Sequence, residues 1–180
     1  MMYDEETIRD AQAGLPGAMD ALLDAWLPVV MGWCLRLGAS RVDAEDLTHE
    51  VFLIVFRKVQ GLREPRAFPA WLYGITRRVL AAHRRKAWFR RWLPGLEPAA
   101  VDPNPTPLDA AQTSDVGRQV WEALDMLPEK HREVLILCDL EERADSEVAA
   151  MLGVPKGTVK SRLRRARASL RELVPELAAD

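Results

Sequence analysis

Cysteine is scarce: Cys34 and Cys138 are the only two, and 104 positions separate them. That excludes a disulfide framework and a closely spaced metal-binding pair. Long apolar runs are missing as well. The longest uncharged, mostly apolar stretch, Ala25 to Leu35, has eleven residues and contains Pro28 and Gly32, against the roughly 17 to 25 needed to cross a bilayer. No membrane insertion is expected. The amino terminus, Met-Met-Tyr-Asp-Glu-Glu, is acidic where a secretory signal would be basic and then apolar, which leaves the cytoplasm as the expected location. Neither half carries Asn-Gly or Asp-Gly turns between alternating apolar residues, so hairpins are excluded, and no internal repeat is visible. No phosphate-binding glycine loop, paired catalytic carboxylates or Ser/Cys with His constellation stands out. The expectation is a non-enzyme with no cofactor and no metal.

What the chain does have is an apolar share of 48% over 180 residues, enough to build the core of one ordinary domain or two small ones. Its charge is balanced overall, at −2, but not locally. Residues 1–62 carry net −5, residues 63–92 net +8, residues 93–153 net −9 and residues 154–180 net +4. Two basic blocks therefore stand apart from two acidic ones. Basic clusters attract phosphates, whereas acidic surfaces discourage nonspecific sliding on DNA or match a basic protein partner.

From Leu93 to Thr113 the chain holds prolines at 94, 98, 103, 105 and 107, which remove amide donors and fix φ, so neither a helix nor a central strand survives there. At about 3.1 Å per residue this tether reaches roughly 65 Å, on the order of nineteen base pairs at 3.4 Å each. The segments on either side read as helical. Gly14 closes a short helix, and a longer one runs from Gly17 to about Leu37 with Pro28 as a kink. A third helix is expected to begin near Ala44, with Asp43 as its N-cap and Glu45 and Asp46 in its first turn. Leu47, Val51 and Ile54 form one apolar row along it, and Phe52, Val55 and Val59 a second. After a turn at Arg63–Arg66, Ala67 to about Trp92 reads as a long helix on which Phe68, Trp71, Leu72, Ile75 and Val79 precede Arg84-Arg85-Lys86.

In the second half, helices are expected from Val116 to Met126, after Pro128, from Glu147 to Leu152, and from Pro155 to about Leu173, with Gly153 in the turn between the last two. Helix, tight turn, helix is a DNA-binding unit. In the last helix Val159, Leu163, Ala166 and Leu170 mark the inward side, and Lys160, Arg164, Arg167 and Arg171 repeat those steps one position later. Thr158, Lys160, Ser161 and Arg162 lie near its amino end, where such helices touch bases in the major groove; Arg164, Arg165 and Arg167, farther along, suit phosphates.

Taken in order, three stretches resemble the extracytoplasmic-function group of bacterial RNA polymerase sigma factors, whose members keep only two domains. Asp43-Ala-Glu-Asp-Leu-Thr-His-Glu-Val-Phe-Leu53 is similar to the segment that docks on the clamp helices of the polymerase largest subunit. Phe68-Pro-Ala-Trp-Leu-Tyr-Gly-Ile-Thr-Arg77 is similar to the promoter-melting helix. Leu127–Leu135 with Gly153–Leu163 resembles the domain that reads the upstream promoter element. The resemblance implies an all-α protein of two small helical domains: a sigma region 2-like bundle over 1–92 and a sigma region 4-like helix-turn-helix over 114–180, joined by a Pro-rich linker over 93–113. It implies core RNA polymerase (clamp helices and flap region), promoter DNA and an anti-sigma factor as partners.

On that reading Asp43, Glu45, Asp46 and Glu50 beside Phe52 offer a charged rim and apolar centre to the polymerase. Phe68, Trp71 and Tyr73 are candidate platforms for unstacked bases, and Arg77, Arg78, Arg84, Arg85 and Lys86 candidate phosphate contacts. Lys156, Thr158, Lys160, Ser161, Arg162, Arg164, Arg165 and Arg167 fall to the upstream element. The chain departs from the family pattern at Arg78, where Asn is usual, at Ala82, where an acid or amide is usual, and at Arg143-Ala144, which leaves Asp145 or Ser146 to cap the next helix. His49, His83 and His131 read as surface contacts. The alternative is a stand-alone helix-turn-helix regulator with an N-terminal dimerisation or sensing domain.

Overall fold

The computed structural model describes residues 5–91 and 115–174. The proline-rich segment expected to be a linker lies outside the described residues. Those that are described form two compact units, helical throughout and without a strand.

The first unit holds α1 (Glu5–Ala13), α2 (Ala18–Arg36), α3 (Arg41–Lys58) and α4 (Phe68–Arg91). Gly14, at φ 71°, takes the left-handed conformation that ends α1, as its position in the sequence suggests. α2 runs through Pro28 without ending, and its length and mean hydropathy of 1.4 would suffice for a membrane span by composition alone. Its inner side, however, is the floor of the core: Leu22, Trp26, Val30, Trp33 and Cys34 are buried, and α2 packs against α1, α3 and α4. Trp26 meets Phe68 edge-on with ring centroids 5.3 Å apart, and Trp33 meets Tyr73 at 5.0 Å and 88°. Such edge-to-face pairs favour burial beyond their area, and they pull Phe68 and Tyr73 of α4 inward.

The start of α3 differs from expectation. Ser40, not Asp43, is the N-cap: its Oγ accepts from the Asp43 amide at 3.1 Å and donates to the Asp43 carboxylate at 2.6 Å. The helix begins at Arg41, so Asp43 sits in its first turn as a capping partner. Both apolar rows of α3 face protein; Leu47, Val51, Phe52, Val55 and Val59 are buried and Ile54 half-buried. Thr48 and Thr76, also buried, donate to the carbonyls of Ala44 and Leu72 one turn back, leaving neither hydroxyl unsatisfied. The α3–α4 connection is two short 3-10 turns, Val59–Gly61 and Pro65–Ala67. Gln12 of α1 holds the first by donating from Nε2 to the carbonyls of Val59 (3.0 Å) and Leu62 (2.5 Å).

The second unit holds α5 (Asp115–Met126), α6 (Glu129–Leu135), α7 (Asp145–Leu152) and α8 (Lys156–Leu173). Arg132 closes the α5–α6 turn, donating to the Asp125 carboxylate at 2.9 Å and to the Asp125 carbonyl at 2.6 Å, where a cation also meets the negative end of α5. α6 widens into a π turn at Ile136–Leu140. Glu142 beyond it adopts φ 52°, a left-handed conformation that costs a side-chain-bearing residue. α7 is capped at Ala144 rather than at Asp145 or Ser146: Glu147 reaches back to accept from the Ala144 amide at 3.1 Å. The reciprocal half of that box is missing, because alanine has no side-chain acceptor. Gly153, at φ 64°, makes the tight turn into α8, whose Val159, Leu163 and Ala166 are buried.

Candidate partner and nucleic-acid interfaces

Three surfaces carry the chemistry expected from the sequence. The first is the outer face of α3. Val42, Glu45, Asp46, His49, Glu50, Leu53 and Phe56 are all exposed and recur at steps of three and four, so they form one stripe along the helix. Its amino-terminal half is acidic. Its carboxyl-terminal half presents Leu53 at 56% and Phe56 at 67% exposure. Phe52, expected at the centre of this surface, is instead only 7% exposed and belongs to the core. The apolar centre consists of Leu53 and Phe56, which sequence reasoning passed over. The signal was present: once two apolar rows are assigned inward, these two are the large apolar residues left over. Asp43 is also drawn away from the stripe, since its carboxylate lies 3.2 Å from His83 Nε2 of α4 as well as on Ser40. His83 is therefore an α3–α4 contact rather than a plain surface histidine.

The second surface is the outward side of α4. Phe68 and Tyr73 are fully buried and cannot serve as platforms for bases, which corrects their expected role; Trp71 remains half-buried at the edge, tilted 44° to Phe68. Arg78, Arg85 and Lys86 are exposed and Arg77 half-buried. Arg84 differs from them. Its guanidinium donates to the Leu37 carbonyl just beyond α2, so it fastens α4 to the end of α2 instead of facing outward. Among the described residues of the basic block, Arg84 is thus a structural cation, whereas Arg78, Arg85 and Lys86 face outward.

The third surface is α8. Lys156, Lys160, Ser161, Arg164 and Arg165 are exposed, and Thr158 and Arg162 half-buried; Ser161 Oγ donates to the Thr158 carbonyl at 3.0 Å. Arg167, expected on phosphate, instead makes a two-pronged contact with Asp139 of the π turn at 2.9 and 2.6 Å. That pairing raises the Arg167 pKa. His131 of α6 feels the same field: burial first, then Lys130, Arg165 and Arg162, push its pKa below the ordinary 6.5. Neither thiol is activated for chemistry, since burial lifts both Cys34 and Cys138 to about 11. Among the described residues no cluster of His, Cys, Asp and Glu is suited to a metal ion.

A helix-turn-helix with a cationic second helix, carried in one chain with a bundle that has its own cationic helix and an acidic and apolar stripe, defines a two-domain all-helical protein. Comparison with known proteins makes this specific. Residues 22–90 match the sigma-70 region 2 family and residues 117–170 the sigma-70 region 4 family. The chain is 36% identical over 171 residues to the ECF RNA polymerase sigma factor SigE of Mycolicibacterium smegmatis, an alignment covering 94% of this chain; it spans 66% of that relative's length. With the ECF RNA polymerase sigma factor SigD of Mycobacterium bovis it shares 30% identity over 181 residues, covering 97% of this chain and 84% of the relative. The solved structure of the sigma factor RpoE in complex with the anti-sigma factor NepR from Bartonella quintana matches with a TM-score of 0.71 at 27% identity, covering 91% of this chain and 99% of that one. The chain belongs to the extracytoplasmic-function family of RNA polymerase sigma factors.

Proposed function

We propose that this chain is a dissociable initiation factor that docks on core RNA polymerase through the α3 stripe, holds promoter DNA with α4 and α8, and assists strand separation. The observation that carries the reading is the stripe itself: Glu45, Asp46 and Glu50 followed along the same face by exposed Leu53 and Phe56. A desolvated apolar centre supplies affinity, while the acidic rim steers and orients a basic helical partner. The clamp helices of the polymerase largest subunit are the intended occupant. Residues 1–92 then form the polymerase-binding and melting domain, 93–113 the tether, and 114–180 the domain that reads the upstream element. Lys156, Thr158, Lys160, Ser161 and Arg162 would face the major groove, and Arg164 and Arg165 the phosphates.

Melting requires bases to leave the stack at a few kcal/mol each. Arg77, Arg78, Arg85 and Lys86 offset part of that by neutralising a separated strand along α4, with Trp71, of the three aromatics expected as platforms, the one that is not fully buried. An anti-sigma factor, such as the one bound to the RpoE relative, is the expected inhibitor. The test is association of the purified chain with bacterial core polymerase at low salt, followed by promoter-dependent transcription from those two components. Association and directed transcripts are expected. Tight operator binding without polymerase association would refute the proposal and make the chain a stand-alone regulator.

A further inference from the structure

Helices α3 and α4 pack against each other, and the chain joins them at one end only, through residues 59–67. Asp43 and His83 each lie twenty positions from Arg63, the middle of that connection. Their contact closes the pair at its other end, about 22 Å away at 1.5 Å per helical residue. There the Asp43 carboxylate is engaged on both oxygens: Oδ1 lies 3.2 Å from His83 Nε2, and Oδ2 accepts from Ser40 Oγ at 2.6 Å. Ser40 is itself fixed, because its Oγ caps α3 by accepting from the Asp43 amide at 3.1 Å. The next residue of α4, Arg84, donates to the Leu37 carbonyl at the other side of the same loop. Two consecutive residues of α4 thus grip the α2–α3 connection from both sides. The two that follow, Arg85 and Lys86, are exposed, and α4 runs on to Arg91.

Asp43 and His83 are both half-buried, and a polar contact so placed adds little to stability. What it fixes is direction. A helix end that leaves its bundle frays unless its last packed turn is held, and groups that must meet a ligand together need support from a second layer of contacts. The clasp at His83 and Arg84 supplies that support immediately before the exposed cations of α4. Asp43 carries the charge expected of a docking rim, yet its carboxylate is turned toward α4. We propose that Asp43 and His83 are positioning residues for the promoter strand: their contact, with Arg84 beside it, holds the last packed turn of α4 so that Arg85 and Lys86 stand in line with Arg77 and Arg78 against successive phosphates. Resting on the reading of α4 as the promoter-strand surface, this role moves Asp43 from the polymerase side of the molecule to the DNA side. The first turn of α3 then serves as a support for strand binding.

The test follows the anisotropy of a labelled oligothymidine strand bound by the full chain across a salt series. Each phosphate contact on a single strand contributes about 0.7 to the slope of log affinity against log salt. His83→Leu keeps the bulk of the side chain without its polar nitrogen, and should flatten the slope by about 0.7 to 1.4, one or two phosphates, with a thermal midpoint near that of wild type. His83→Gln returns a nitrogen donor at similar reach and should restore most of the slope. Asp43→Ala should flatten it as His83→Leu does, and the double variant no further, since both act through one contact. A wild-type slope in His83→Leu, a slope in His83→Gln as flat as in His83→Leu, or additive losses in the double variant overturns the proposal. Core-polymerase association of His83→Leu should match wild type; its loss would return the contact to the docking side and overturn the proposal as well. Arg85→Gln should lose one phosphate's share of the slope. If it does and His83→Leu does not, the clasp alone falls; if neither does, the reading of α4 falls with it.

Discussion

Two phenylalanines four positions apart on α3 are expected to fail in opposite ways. Phe56 is 67% exposed and Phe52 7%. A phenylalanine side chain buries about 200 Å² when fully covered, so a partner closing over Phe56 removes roughly 130 Å² from water, or about 3 kcal/mol at 25 cal/mol per Å². Alanine retains a little of that area, and association does not return all of it; Phe56→Ala should therefore weaken polymerase binding by about 2 to 3 kcal/mol, about 30- to 150-fold. The thermal midpoint should stay within a degree or two. Phe52→Ala instead opens a cavity in the core, at a cost of about 3 to 5 kcal/mol, and lowers the melting temperature of the first domain by more than about 10 °C. The assays are titration of labelled chain with core polymerase and calorimetry of each variant. A Phe56→Ala chain that melts early, or that binds polymerase like wild type, would refute the division of α3 into a core side and a docking side.

Other outcomes follow from single contacts. Glu142→Gly should relieve the left-handed conformation at φ 52°; about 1 to 2 kcal/mol of strain less the greater freedom of glycine in the unfolded chain leaves a gain of about 0.5 to 1 kcal/mol, seen as a melting temperature higher by a few degrees. Asp139→Ala removes the fork on Arg167, whose side chain is 50% exposed against 28% for Asp139, so the loss is about 0.5 to 1 kcal/mol. The freed arginine should at the same time steepen the salt dependence of upstream-DNA binding by about one unit, measured from affinities across a salt series. Because folding pushes the His131 pKa below 6.5, the unfolded chain takes up that proton first as pH falls. The stability His131 contributes is full above 6.5 and is lost between there and its lower folded value. Calorimetry from pH 8 to 5 should show a shallower acid decline for His131→Gln.

Much of this architecture is legible in the residues alone. Gly14 and Gly153 mark the helix ends they were assigned, and the inner row Val159, Leu163, Ala166 of α8 follows from period alone, because its other faces are charged. α3 is harder to read. A helix apolar on most of its circumference gives little contrast by which to choose a side; the row of Phe52, Val55 and Val59 leaves Leu53 and Phe56 over, but only the packing of α2 and α4 establishes that this row is the covered one. The cations show the same limit from the opposite direction. Arg84 and Arg167 look like their neighbours in a basic run, but Leu37 lies 47 positions from one and Asp139 28 positions from the other. Pairings at that range have no local signature. The cap at Ser40 was missed for a simpler reason: Asp43 is also a good capping residue, and only backbone position distinguishes cap from first turn.

The two hydrogen bonds from Gln12 also bear on biogenesis. Their acceptors come 47 and 50 positions later in the chain, so during translation Gln12 of α1 lacks the first until Val59, and the second until Leu62, has left the ribosomal tunnel. Until then α2 is the partner available to the apolar side of α1, with Ile8 and Ala11, and the contacts to the later turns are still to form.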